Sequence, residues 1–554
     1  MLRRIAGVSV LAVLAGLAVS APVQAASEFR TITREGVVLQ FQRVAKATTP
    51  MKGTGATRSD FDGDGVDDIA VSSRTHTFTG PRYASGVVVV RYSSAPQVDY
   101  FIGALVATPE VSGGSLGDAL VAGDFNADGY DDLAIGDSDE VDPGNRTRAG
   151  GVWVVPGSRN GLVLDAAKHF NQSSPGVPGA AENYDWFGNA LAAGDINGDG
   201  RDDLAIGAAG EAIGTKDRAG AVTVLYGGTT GLTATGAQQF HQDQAAVPGS
   251  AERNDQFGRT LAIGKFNKDR YADLVIGAPW ENDGDVPTPG SGMVTLMWGA
   301  ASGVRTTGAT SVTGGALQKA TGRQDNYVWY LGESLAAGDV DGDGLAEVIA
   351  GAPRSQTPHL YGGLVVAFTG RSGGLSNKAV RIIGQRTAGV PGDPEYNDQF
   401  GGTLAVGDVT GDGRADVLVG SPGEAIGKTT EAGMVTLLKG SASGLTGSGA
   451  QGFDQGHSVV PGAPEKDDRF GSAVALLNLN GTGGLDAIVT ANNEEVAGDT
   501  KGYGSGMVAV FHGAKTGLVP KTTSWSGRSL NTDRMVLQTY GSRVVAPNSG
   551  GLWY

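Results

Sequence analysis

The sequence predicts an all-β fold, a seven-bladed β-propeller of four-stranded blades. Three observations predict it. Of 554 residues, 91 are glycine and 22 proline, a level that weakens helix interiors. Apolar residues make up 40% of the chain and recur in short runs of valine, leucine and alanine, which suits brief strands joined by tight turns. An acidic loop returns seven times, at a spacing of about 70 residues, as in a repeat architecture. Glycine shows no period of three, so a collagen triple helix is excluded.

Residues 1–25 read as a secretory leader. Arg3 and Arg4 form its basic start, Ile5 to Ala21 its apolar stretch, and Val23-Gln24-Ala25 a small-x-small cleavage site. The stretch is short for a membrane span, and no later segment is apolar enough for one. The mature chain is therefore expected to be secreted, either extracellular or loosely held at a cell surface. Residues 26–50 form an N-terminal segment with a strand, and 51–554 the propeller. The formal charge of −16 repels nucleic-acid phosphates and anionic lipid heads and attracts cations. The absence of cysteine excludes disulfides, thiol catalysis and thiolate metal sites.

Each unit follows one grammar. Aromatic-Gly comes first, as in Phe187-Gly188, Phe257-Gly258, Phe400-Gly401 and Phe470-Gly471, with weaker versions at Leu116-Gly117 and Leu331-Gly332. A short first strand, the acidic loop and an apolar second strand follow. Gly-Ala-Pro often ends the second strand, as at Gly277-Ala278-Pro279. A polar loop leads to a third strand, such as 220–226, and a fourth segment runs into Val-Pro-Gly. Such a sheet cannot bury both faces alone, so neighbours stack around an axis. Tyr540-Gly541-Ser542 resembles Phe470-Gly471-Ser472, yet no acidic loop follows it. The C-terminal strand is thus expected to complete the first blade. The alternative is that Thr54–Ser59 supplies that strand.

The acidic loops have the donors of a hard-cation site. Positions 1, 3, 5 and 9 supply side-chain oxygens and position 7 a backbone carbonyl, and calcium takes six to eight oxygens in a flexible shell. Loop one offers Asp60, Asp62, Asp64, the Val66 carbonyl and Asp68. Loop two offers Asp124, Asn126, Asp128, the Tyr130 carbonyl and Asp132, and loop three Asp195, Asn197, Asp199, the Arg201 carbonyl and Asp203. Loop five offers Asp339, Asp341, Asp343, the Leu345 carbonyl and Glu347, and loop six Asp408, Thr410, Asp412, the Arg414 carbonyl and Asp416. These are not EF-hands, because position 12 is Val71 or Ile206 where a bidentate carboxylate is needed. Two loops have decayed. Loop four has Lys265 at position 1 and Arg270 in place of the turn glycine; its ammonium is expected to replace the cation, bonded by Asn267, Asp269 and Asp273. Loop seven, from Asn478, keeps one carboxylate, Asp486. About five calcium ions are therefore expected.

Aromatic-Gly, Asp-x-Asp-x-Asp-Gly-x-x-Asp and Gly-Ala-Pro, repeated over roughly residues 50–546, resemble the FG-GAP repeats of integrin α-subunit propellers. In spacing the chain is more similar to secreted bacterial FG-GAP proteins. The resemblance implies a seven-bladed propeller, calcium in loops on one face, and adhesion or recognition. Loops four and seven depart from it, and so does the lack of integrin leg domains, which argues against an integrin-style heterodimer.

Two further acidic rows recur: Glu182/Asp185, Glu252/Asp255, Glu395/Asp398 and Glu465/Asp468 before Aromatic-Gly, and Glu211, Glu281, Glu424 and Glu494 after the second strand. A catalytic carboxylate pair breaks symmetry, so repetition favours capping of turn amides. The six histidines are scattered, and no Gly-x-Ser-x-Gly elbow or phosphate loop is present. Trp280 is the best candidate for an exposed contact. The reading is a non-catalytic, calcium-binding protein, a monomer, recognising an extracellular protein or glycan and no nucleic acid. The alternatives are a polysaccharide hydrolase or lyase with its site at the propeller mouth, and a structural surface protein.

Overall fold

The computed structural model describes residues 28–34, 37–44, 58–78, 83–93, 99–106, 115–142, 146–282, 290–321, 328–355, 362–370, 373–482, 484–499, 504–530 and 535–545. The expected leader and its cleavage site lie outside these residues, as do residues 54–57 of the alternative closing strand.

Second strands set the architecture. Leu133 to Gly136, Leu204 to Gly207 and Leu274 to Gly277 are apolar on both sides, and every residue of these strands is buried. A strand buried on both faces must be sandwiched between sheets. Fourth strands, such as Thr233–Phe240, are mostly half-exposed or exposed and form the outer edge. In blade three the order is Phe187–Gly194, Asp203–Ala208, Ala221–Tyr226 and Thr233–Phe240, all antiparallel, with Leu191 opposite Ile206. Five other blades repeat this four-stranded order. Their first strands touch the first strands of both neighbours, so the seven sheets form a closed ring.

Blade one has six strands rather than four. Met535–Val544 pairs with Ile69–Phe78 and takes the first position. Tyr83–Arg91 and Asp99–Val106 follow, and Val37–Val44 and Glu28–Arg34 extend the sheet beyond them. The two early strands cover the edge that Asp99–Val106 would otherwise expose.

Adjacent sheets share their cores. Val222 and Val224 of blade three pack in one cluster with Leu274, Ile276 and Met293 of blade four. Truncating Leu274 or Ile276, both fully buried, would cost about 2–5 kcal/mol each.

The two glycines of the repeat grammar meet across this seam. A Cβ on Gly207 would stand 2.1 Å from the Gly258 carbonyl oxygen, and one on Gly136 2.0 Å from that of Gly188. The second-strand glycine therefore gives room to the Aromatic-Gly carbonyl of the next blade. At the seam between blades seven and one Thr490 stands there instead, and its hydroxyl donates to the Gly541 carbonyl at 2.8 Å. A helix, Gly314–Thr321, follows the fourth strand of blade four and buries its Leu317.

Candidate metal centres

Gly194 pairs with Asp203, Gly264 with Asp273, and Gly338 with Glu347, so the first eight loop positions hang between the ends of the first two strands. The carboxylates organise this segment. In loop five Asp339 Oδ1 accepts the amides of Gly342 (2.6 Å) and Asp343 (3.1 Å), and Oδ2 that of Gly344 (2.8 Å). Asp341 then accepts from Asp343, and Asp343 from Leu345. Loops one, two, three and six repeat the pattern around Asp60, Asp124, Asp195 and Asp408. The position-6 glycine makes the winding possible: Gly344 has φ +89° and Gly65 +83°.

A cation fits this donor set. Loop one brings one carboxylate oxygen each of Asp60, Asp62 and Asp68 within 4.8 Å of one another, and loop five does so for Asp339, Asp341 and Glu347. Among the described residues no lysine or arginine pairs with these three acids of loop five. Burial pushes Glu347 up to about 7, with Asp341 and Asp339 adding to the rise. Burial likewise raises Asp132 and Asp203 to about 7 and Asp64 to about 6, and it holds Asp68 well above the carboxylate range. Clustered, desolvated carboxylates of this kind prefer a proton or a metal ion. Among the described residues loops two, three and six do not gather three carboxylates so closely, since position 3 is Asn126, Asn197 or Thr410.

Two features of the loops are not apparent in the sequence. Arg201 and Arg414, expected to offer only carbonyls, reach back to Asp199 and Asp412 at 3.4 Å. The position-9 carboxylate also serves a partner outside its own loop. Asp68, Asp132, Asp203, Glu347 and Asp416 each accept the amide that follows the third strand, at Ser93, Gly157, Gly227, Gly370 and Gly440. The decayed loops keep this bond, from Gly299 to Asp273 and from Gly513 to Asp486. Position 9 thus survives where the metal donors are lost.

The expected internal ammonium of loop four is corrected. Lys265 is exposed and makes no bond to Asn267, Asp269 or Asp273. A hydrated ammonium gains little from a surface pair. Asn267 Nδ2 instead approaches Asp273 Oδ2 at 3.5 Å. In loop seven Asn480 Nδ2 donates to both oxygens of Asp486, at 3.0 and 2.9 Å.

The loops are also linked in a ring. The position-8 amide of each blade donates to the position-1 carbonyl of the preceding one. The bonds run from Asp131 to Asp60, Asp202 to Asp124, Ala272 to Asp195, Ala346 to Lys265, Ala415 to Asp339, Leu485 to Asp408 and Asp67 to Asn478, all at 2.7–3.0 Å.

A family model described as FG-GAP repeat matches residues 116–155, 187–225, 257–297, 331–367 and 400–438. The chain is an FG-GAP repeat protein. The matches begin at Aromatic-Gly of blades two to six. Phosphatidylinositol-glycan-specific phospholipase D of Rattus norvegicus is 29% identical over 43% of this chain and 26% of its own length. The Bos taurus protein of that name is 27% identical over 74% of this chain and 47% of its own. Integrin alpha pat-2 of Caenorhabditis briggsae is 28% identical over 43% of this chain and 18% of its own. The FG-GAP protein thus spans less than half the length of each of these relatives. Among its described residues no helix is long and apolar enough to cross a membrane.

The opposite face of this FG-GAP protein is built from the loops between second and third strands and the links between blades. The two segments adjoin, since Gly210 N donates to the Asp185 carbonyl and Gly423 N to that of Asp398. Both acidic rows lie here. Asp185, Asp255, Asp398 and Asp468 accept the amides of Glu182, Glu252, Glu395 and Glu465, the expected turn capping. A glutamine that the repeat grammar does not single out joins them: Gln172, Gln242, Gln385 and Gln455, at the end of one blade, bond Glu211, Glu281, Glu424 and Glu494 of the next at 2.5–2.6 Å. In blade two Glu140 holds the position of Glu211, but its partners come from the same blade: His169 at 2.7 Å and the Trp153 indole. Tyr184, Trp280 and Tyr396 are exposed on this face, Tyr396 by 74%.

Proposed function

We propose that this protein is an extracellular, calcium-stiffened recognition propeller whose ligand surface is the face opposite the acidic loops. The single observation that carries the reading is the division of labour between the faces. One face carries the cation-ready loops joined in a ring, and the other presents Tyr184, Trp280 and Tyr396. Exposed aromatic side chains supply rigid contact area and are enriched at interfaces. In loops one and five the position 1, 3, 5 and 9 side chains would hold calcium with the carbonyls of Val66 and Leu345. The corresponding residues of loops two, three and six would hold it more weakly. The ion supplies charge neutralisation and fixes the loop; the chemistry is structural. Likeness to an integrin α chain favours a protein ligand over a glycan.

The test has two arms. Elemental analysis should find at least five calcium ions per chain, one for each intact loop, and removing them should lower the melting temperature markedly, because an ion bound only by the native state stabilises it. Binding to an array of purified extracellular-matrix proteins should need calcium. It should also be lost on replacing Tyr184, Trp280 and Tyr396 with alanine, while the melting temperature holds. A metal-free protein with unchanged melting sinks the calcium reading, and binding indifferent to the triple substitution sinks the surface.

A further inference from the structure

The acids on the aromatic face do more than cap turns. Between blades three and four, one oxygen each of Glu252, Asp255 and Glu281 lies within 4.8 Å of the others. Asp255 is fully buried, and only its Oδ2 is bonded, by the Glu252 amide. Its Oδ1 is buried with no partner among the described residues. Gln242, 3% exposed, reaches into this cup: its Nε2 donates to Glu281 Oε2. Its Oε1 is buried and also has no hydrogen-bond partner among the described residues. A buried amide oxygen left without a donor carries its desolvation cost uncompensated. Together with the unpartnered Asp255 Oδ1 among three gathered acids, it makes sense if something positive completes the shell.

The arrangement recurs. The glutamine oxygens of Gln172, Gln385 and Gln455 are likewise buried and unpartnered, each beside its own glutamate, and Asp398 Oδ1 repeats the orphan of Asp255. The orphaned glutamine oxygen is thus a regular feature of the repeat, and among the described residues only the junction at Gln242 also gathers three acids within 4.8 Å.

We propose that the cup formed by Gln242, Glu252, Asp255 and Glu281 is a second type of divalent-cation site, on the face opposite the acidic loops and between two blades. Its donors are carboxylates and an amide carbonyl, all oxygen, which selects hard ions of the calcium class over zinc or copper. Glu252 is exposed, so water completes the coordination from the solvent side. The ion would bridge blade three, the interblade link and blade four, and so tie a junction that the loop ions do not touch. The junctions at Gln172, Gln385 and Gln455 keep the glutamine–glutamate bond, but their three acids do not gather within 4.8 Å of one another, so the proposal is confined to the junction at Gln242.

Calcium titration of the full chain by calorimetry and equilibrium dialysis tests this, with three variants: Glu252→Gln, Glu281→Gln and Asp339→Asn. The wild type should bind more ions than its intact loops account for. Glu252→Gln, on an exposed side chain that leaves the fold intact, should weaken one ion at least tenfold and leave the loop ions unchanged. Glu281→Gln should remove that ion. Asp339→Asn should lose a loop ion and keep the cup ion, which separates the two kinds of site. An ion count identical in the wild type, Glu252→Gln and Glu281→Gln overturns the proposal, as does a cup that changes only with pH and never with calcium.

Discussion

The Asp67 amide donates to the Asn478 carbonyl at 2.8 Å, across 411 residues of chain, and the Asn478 amide returns a 2.6 Å bond to Asp67 Oδ2. This reciprocal pair links the acidic loops of blades seven and one. Asp67 Oδ1 also accepts the Ser59 amide at 2.9 Å. Asp131 and Asp202 hold the matching positions and bond the amides of Asp60 and Asp124.

Asp67→Ala should therefore be severe. It leaves the buried Ser59 and Asn478 amides without their acceptor, at about 1–3 kcal/mol for each. Asp67→Asn keeps one acceptor oxygen and should cost less. Urea unfolding midpoints of the two variants, read against wild type, check the order.

The glycine at the blade seam makes a second prediction. Gly207→Ala places a methyl group against the Gly258 carbonyl and should destabilise by about 1–3 kcal/mol. Thr490→Ala, at the matching position of blade seven, loses the bonds to the Gly541 carbonyl and the Ser472 hydroxyl and leaves the buried Ala473 amide without this acceptor, so about 1–3 kcal/mol is expected. Calorimetric melting of both proteins measures the difference.

The repeat grammar made the ring and the acidic loops legible, because Aromatic-Gly marks the start of each unit while the carboxylate ladder and the turn glycine act within about ten residues of chain. What joins blade to blade was not legible. Gln242 and Glu281 stand 39 residues apart and belong to different sheets, so no periodicity within a unit connects them. The double duty of Asp203 was hidden for the same reason, since its second partner is Gly227. Lys265 misled because its sequence position matched a ligand while its long side chain was free to stay in water.

Loop four offers a gain-of-function test. Lys265→Asp with Arg270→Gly gives it the donor types of loops two and three, and Asp273 is already anchored to Gly299. The double variant should bind one more calcium ion than wild type. An unchanged count by elemental analysis would show that donor identity alone does not make the site.

Metal-free protein should be more stable in mild acid than in mild base. Burial raises Asp185 and Glu424 to about 8 and Glu211 and Asp468 to about 7, against about 4 in the unfolded chain. The native state therefore holds protons that the unfolded state has lost. Stability falls as pH rises from about 4 through the folded values, and is lowest above about 8. Melting temperatures of chelated protein at pH 5.5 and 8.5 check the sign, and saturating calcium should flatten the slope.

Blade one draws on residues 28–44 at one end and 535–544 at the other. During synthesis the other six blades emerge whole, while this one must wait for a strand made some 400 residues after its neighbours. Such distant pairing is slow to find. Until that strand arrives, blade one lacks its first position and the wheel cannot close.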